Sequence, residues 1–273
     1  MENIRRAVER AKDSFSGRPN GVRLESPTRE AKSNFVEHYP TQRRVQQVEL
    51  DTDHLQSQRI IAYDGQDPRS RSFDILRTEV LRSMDLKNWR TLAVTSPTPS
   101  CGKTLTAINL ALSIARQQDR NVRLVDLDLR RPHIAASLGL DCLGGTLGVL
   151  EGRSDIETSM IDAGVGSCRL EILPTAASEN ASDLVASSGM RTLLQDLATC
   201  QQSRVVIFDL PPLLTSHDVI SILPQVDCVL LVAAVGVSKI SEIQECYRYL
   251  QEADVVRFVL NKVPESLTKY VYY

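Results

Sequence analysis

Two rhythms of apolar residues divide this chain. From about residue 69 onward, short β-branched or apolar runs alternate with segments whose apolar residues recur every three or four positions. Ser70 to Met84 places Phe73, Leu76, Val80 and Leu81 on one helical face, and a strand follows at Thr91–Val94. A helix from Lys103 to Gln117 carries Leu105, Ile108, Leu112 and Ile114, and Val122–Val125 reads as the next strand. Beyond Pro132 the pattern predicts short helices through Gly145–Leu150 and Glu157–Asp162, then a strand at Leu170–Leu173. Asp183 to Ala198 reads as one or two helices, followed by a strand at Val205–Phe208 and a helix after Asp218. A strand at Cys228–Ala233, a helix at Lys239–Gln251 and a strand at Val255–Leu260 complete the series. Strand–helix alternation of this kind predicts an α/β fold, a doubly wound and mostly parallel sheet of roughly six or seven strands.

Before residue 59 neither rhythm is sustained. Residues 1–58 are rich in Pro, Gly, Ser, Asn and Gln among many charges, a composition that cannot build a core and predicts a flexible segment. The exception is Ile4, Val8, Ala11 and Phe15, spaced along one face of a short helix whose other face is charged. A helix this short is marginal alone and predicts docking on a partner, on its own domain or on a membrane surface. The expected organisation is therefore a flexible segment over 1–58, one domain over 59–265, and a tyrosine-rich tail over 266–273.

The 273 residues are 42% hydrophobic and 24% charged, with a net charge of −2, so no global field favours nucleic acid. No apolar run of about 18 or more residues and no signal-peptide core is visible, and the expectation is a cytoplasmic protein. The six cysteines lack C-x-x-C spacing, which argues against a zinc site or a disulfide framework.

The chemistry concentrates at three strand ends. The loop Thr95-Ser-Pro-Thr-Pro-Ser-Cys-Gly-Lys103-Thr104 joins a strand to a helix, and its backbone N–H groups would face a phosphate at a positive helix end. Ser100, Cys101, Gly102, Lys103, Thr104 and Leu105 would form that cradle, with the Lys103 ammonium on phosphate oxygens and the Thr104 hydroxyl on Mg²⁺. Gly-Lys-Thr is a weak signal by itself. It gains weight because Val122–Val125 ends in Asp126-Leu-Asp128-Leu-Arg130-Arg131, and Val205–Phe208 ends in Asp209-Leu-Pro-Pro212. Carboxyl ends of strands in an open parallel sheet meet where ligands bind, so the three ends predict one Mg-nucleotide site.

The order Gly102-Lys-Thr, Val125-Asp-Leu-Asp-Leu-Arg-Arg-Pro132 and Phe208-Asp-Leu-Pro-Pro212 resembles the Walker A, Walker A′ and Walker B segments of the bacterial tyrosine kinases. These are cytoplasmic autokinases of capsule and exopolysaccharide assembly, with a P-loop fold akin to ParA and MinD. Ser182–Arg191, Asn261-Lys262 and Tyr270-Val-Tyr-Tyr273 extend the resemblance over about residues 60 to 273. It implies ATP and Mg²⁺ as cofactors, Lys103, Asp126, Asp128 and Arg130 in catalysis, and Thr104, Asp128 and Asp209 at the metal. Asp126 takes the base-like role, Asn261 is a candidate for adenine, and Tyr270, Tyr272 and Tyr273 are the phosphoacceptors. It further implies a ring-like homo-oligomer, a separate transmembrane chain-length regulator that recruits the chain to the inner face of the plasma membrane, and a tyrosine phosphatase.

Two departures stand out. Pro97, Ser100 and Cys101 occupy positions of a more glycine-rich loop. The ring-assembly pattern E-x-x-R-x-x-R is matched by Arg71-x-x-Asp74-x-x-Arg77, with the first two charges exchanged, an attractive pair if they meet across an interface. Two other readings stay open: a ParA/MinD-type switch ATPase, which usually carries an additional lysine where Thr98 stands, and a non-catalytic nucleotide-gated scaffold.

Overall fold

The computed structural model describes residues 45–264, apart from 143, 200–203 and 252. The amphipathic pattern at residues 4–15 and the tyrosines 270, 272 and 273 lie outside the described residues. Eight strands form one sheet in the order β1-β4-β5-β3-β6-β2-β7-β8. They are β1 (Gln46–Glu49), β2 (Thr91–Thr95), β3 (Asn121–Asp126), β4 (Ile161–Val165), β5 (Cys168–Leu173), β6 (Arg204–Asp209), β7 (Cys228–Ala234) and β8 (Val255–Asn261). All neighbours run parallel except β4 and β5, which form an antiparallel pair.

The central strands are mostly apolar because both faces are covered, and every residue of β2 and β7 is buried. On one face lie α2 (Arg71–Lys87) and α3 (Lys103–Ala115), which pack Val80, Met84, Ile108 and Leu112 against Leu92, Leu124 and Ile207. On the other lie α8 (Ser188–Ala198) and α9 (Asp218–Ile222), placing Met190, Leu194 and Val219 beside Val125, Phe208 and Leu231. The short helices are α1 (Thr52–Ser57), α4 (Ile134–Leu138), α5 (Thr146–Leu150), α6 (Ile156–Ser159) and α7 (Ala181–Val185), and α10 (Ile240–Tyr249) precedes β8. Helices on both faces of a mostly parallel sheet are the doubly wound α/β fold that the periodicity predicts.

Three elements differ from the sequence reading. The sheet has eight strands rather than six or seven, because β1 and β4 carry no strong strand pattern. The helix expected over Glu157–Asp162 stops at Ser159, and Ile161 starts β4. Residues 46–57, assigned to the flexible segment, instead form β1 and α1, with Leu55 fully buried in the core. Asn109 on α3 pins the next stretch, its side-chain oxygen accepting the backbone N–H groups of Ile61 and Ala62 at 2.9 and 3.0 Å.

Candidate functional site

Strand order brings the three motifs together. β6 lies between β3 and β2, and the register pairs Asp126 directly with Asp209 and Val94 with Asp209. The loop from Ser96 to Gly102 leaves β2 at that end and enters α3 at Lys103. The entry requires Gly102, whose φ of 88° is left-handed and whose added Cβ would stand 2.3 Å from the Asn261 amide nitrogen. Ser100 also takes a left-handed φ of 64°, at a position where a glycine would be unstrained.

Lys103 turns back across the strand ends. Its ammonium lies 3.0 Å from Asp128 Oδ2 and 3.4 Å from Asp209 Oδ2, and the Thr104 hydroxyl donates to Asp209 Oδ2 at 2.6 Å. All three carboxylates are nearly or fully buried. Burial, reinforced by the Asp209 charge, pushes the Asp126 carboxyl up to about 8. Asp209 is also raised, by burial first and then by Asp128, against the lowering influence of Lys103 and Thr104. Burial works to lower the Lys103 ammonium, yet Asp209, Asp128 and Asp126 together hold it above its ordinary value.

The two Walker A′ carboxylates are not equivalent. Asp126 Oδ1 accepts the Asp128 N–H, and Oδ2 accepts those of His133 and Ile134, so both oxygens are engaged in shaping the loop into α4. Asp128 reaches Lys103 with one oxygen and accepts the Arg131 N–H at 3.1 Å with the other. The base-like role that the resemblance gives to Asp126 therefore fits Asp128 better on geometry.

Thr104, Asp128 and Asp209 offer hard oxygen donors, and the Asp128 and Asp209 carboxyls share the Lys103 ammonium, a donor set that suits a divalent cation. Among the described residues no group of three or more His, Cys, Asp or Glu side chains is arranged to hold a metal unaided. Phosphate and water would complete a Mg²⁺ shell, as is usual for that ion.

The other expected residues are placed differently. Arg130 bonds Asp218 at 3.0 Å and also Ser182, and Asp218 accepts from Ser182 and Ser216 at 2.8 and 2.7 Å. Sequence reasoning missed this clamp, since Ser182 and Asp218 lie far from Arg130 along the chain. The Asn261 amide donates to the Cys101 carbonyl at 3.0 Å, so in this structure it braces the loop instead of standing open to adenine. Cys101 is buried and its thiol donates to the Thr98 carbonyl at 3.2 Å. The Leu105 side chain packs on the core, leaving only its backbone toward the loop. Asp74 is committed within the chain: it pairs with Arg77 at 3.3 Å and with Arg116, and it accepts from the Ser113 hydroxyl at 2.6 Å. Burial works to raise its carboxyl, but the Arg116 and Ser113 hydrogen bonds hold it below its ordinary value. All of these contacts fall on Oδ1, so the expected intersubunit Arg71–Asp74 pair would have to use Oδ2.

The fold and the assembled strand ends define a P-loop nucleotide-binding α/β domain. Its relatives are more particular. No family model matches the chain. It is 30% identical to the tyrosine-protein kinase YwqD of Bacillus subtilis over 150 residues, 55% of this chain and 61% of that protein. It is 27% identical to the tyrosine-protein kinase ptk of Acinetobacter johnsonii over 198 residues, 71% of this chain and 26% of that protein. The kinase domain of the Escherichia coli tyrosine kinase ETK superposes with a TM-score of 0.65 at 25% identity, covering 75% of this chain and 79% of that domain. The chain is thus related, in sequence and in fold, to the bacterial tyrosine kinases, and it spans between 26% and 29% of the first curated relatives it matches. MinD of Pyrococcus horikoshii, solved with Mg-ADP, shares the fold at 21% identity and a TM-score of 0.53, covering 63% of this chain and 69% of MinD.

Proposed function

We propose that this chain is an ATP-dependent protein-tyrosine autokinase of exopolysaccharide or capsule assembly. The observation that carries the reading is the Lys103–Asp128–Asp209–Thr104 cluster at the three strand ends, in a domain whose relatives are named tyrosine-protein kinases.

Backbone N–H groups of residues 100–105 and the Lys103 ammonium hold the ATP phosphates. Thr104 and Asp209 would hold Mg²⁺, which would neutralise charge on the phosphates. Binding nucleotide draws Lys103 from the carboxylates toward phosphate, which frees Asp128. A phenol of pKa about 10 needs a carboxylate to accept its proton. Asp128 takes that proton as the tyrosine oxygen bonds the γ-phosphorus and the bond to the ADP oxygen breaks. Asp126 holds the loop that carries Asp128, and Arg130, clamped by Asp218, stabilises charge at the rim.

Tyr270, Tyr272 and Tyr273 are the acceptors, delivered to a neighbouring copy in a ring-like oligomer. A separate transmembrane chain-length regulator brings the assembly to the inner face of the plasma membrane, and a tyrosine phosphatase reverses the modification. Among the described residues no helix is long and apolar enough to cross a membrane. Incubation with ATP labelled at the γ position tests the reading. Phosphotyrosine on the protein supports it, free phosphate alone indicates a switch ATPase, and neither product indicates a scaffold.

A further inference from the structure

One edge of the sheet is built as though to receive another segment. β8 ends the strand order and, among the described residues, pairs only with β7. Both faces of this edge are partly open: Phe258 and Leu260, 40% and 51% exposed, share the face of Leu231, while Arg257 and Val259 share the α2 face with Ile75, which is 58% exposed. Between α2 and β8 lies a cavity of about 320 Å³, lined by Phe73, Ile75, Leu76, Leu105 and Val259 and rimmed by the Glu79–Arg257 ion pair. That space suits an aromatic side chain. Proteins normally blunt such an edge with charge, proline or a covering element, because unpaired N–H and C=O groups beside apolar side chains invite another strand.

The segment after β8 has the composition of a strand. Lys262 adopts a left-handed φ of 55° immediately after Asn261, the backbone signature of a chain reversal. Residues 265–273, Glu-Ser-Leu-Thr-Lys-Tyr-Val-Tyr-Tyr, are rich in the β-branched and aromatic types that favour strands. Their nine residues reach at most about 30 Å, the length of β8 and its cavity with some to spare.

We propose that residues 266–273 dock in cis as an added antiparallel strand on the β8 edge, with alternate side chains over the Ile75–Val259 face and the Phe258–Leu260 face. The tether decides between occupants. A segment joined a few residues away acts at an effective concentration on the order of millimolar, which a second copy at ordinary concentrations does not match. The docking itself is independent of the kinase reading, and only its consequence rests on it. A docked tyrosine is withheld from a neighbour's site, and a phosphate bringing about −1.5 to −2 charges onto an apolar face would release the segment, because burying it there costs its hydration.

Hydrogen exchange followed by mass spectrometry on the full chain tests this. Peptides covering 255–261 and 265–273 should both exchange at least ~10-fold more slowly in the wild type than in a variant carrying Tyr270→Ser, Tyr272→Ser and Tyr273→Ser. A second full-length variant, Phe258→Ser with Leu260→Ser, should lose the protection of 265–273. Equal exchange of 265–273 in wild type and both variants overturns the proposal. So does protection that fades on dilution of the order of a hundredfold, which would assign the edge to a second copy.

Discussion

Lys103→Met tests the electrostatics of the strand ends. A Lys103 that met only phosphate and solvent could be removed without cost to the fold. In this structure its ammonium instead pairs with Asp128 and Asp209, at 3.0 and 3.4 Å. Removing one partner of a buried ion pair costs about 3–5 kcal/mol when the charge left behind stays ionised. It need not stay ionised, and this makes the cost depend on pH. Asp209 is already raised in the folded protein, and Lys103 is its largest lowering influence, so the substitution raises it further. A carboxyl with a raised folded pKa gives its full stability below the unfolded value, about 3.9, and loses it as pH climbs toward the folded pKa. The destabilisation by Lys103→Met should therefore be small near pH 5 and grow toward pH 8.5 by at most about 1.4 kcal/mol per pH unit per proton. Asp126 adds in the same direction, since Lys103 also lowers it. Urea unfolding of both proteins at several pH values in nucleotide-free buffer reads the difference. A cost that stays below about 1 kcal/mol, or one that does not change with pH, would refute this account of the cluster.

Other residues make separate claims. Asp128→Asn should lower the autokinase rate at least ~10²-fold and cost less stability than Lys103→Met because Lys103 keeps Asp209, whereas Asp126→Asn should also loosen the 126–134 loop, seen as faster amide exchange at His133 and Ile134. Gly102→Ala should abolish nucleotide binding measured by calorimetry, because its Cβ meets Asn261 and the left-handed φ is strained. Asp74→Ala should destabilise the protein by about 1–3 kcal/mol in thermal or urea unfolding, since it removes the carboxylate partner of Arg116 and one partner each of Arg77 and Ser113, whereas a purely intersubunit Asp74 would leave the monomer's stability unchanged. Asp218→Asn should lower the rate through Arg130, leaving ATP affinity nearly unaltered.

Much of the nucleotide site was legible because a carboxylate at the end of an apolar strand is conspicuous. Asp126, Asp128 and Asp209 each break such a run, and parallel pairing then fixes their meeting. Strands β1 and β4 were not legible for the opposite reason. Gln46–Glu49 is a polar edge strand, and Ile161-Asp-Ala-Gly-Val165 is short and carries a glycine, so neither has the run or alternation that marks a strand. The Arg130–Asp218–Ser182 clamp and the Asn261 brace join residues from separate loops, which no local spacing encodes. The exchanged charges at Arg71 and Asp74 suggested an interface, yet Arg116 and Ser113 on the neighbouring helix supply Asp74 with partners that only the helix packing reveals.

The most direct test of the central claim uses two chains. Lys103→Met chains, verified as folded, serve as acceptors and are mixed with active chains carrying Tyr270→Phe, Tyr272→Phe and Tyr273→Phe, in the presence of ATP and Mg²⁺. Mass spectrometry then maps phosphotyrosine on each chain. Transfer to Tyr270, Tyr272 or Tyr273 of the Lys103→Met chains is the expected result. No phosphotyrosine on them, or label confined to the exposed Tyr247 and Tyr249, would contradict it.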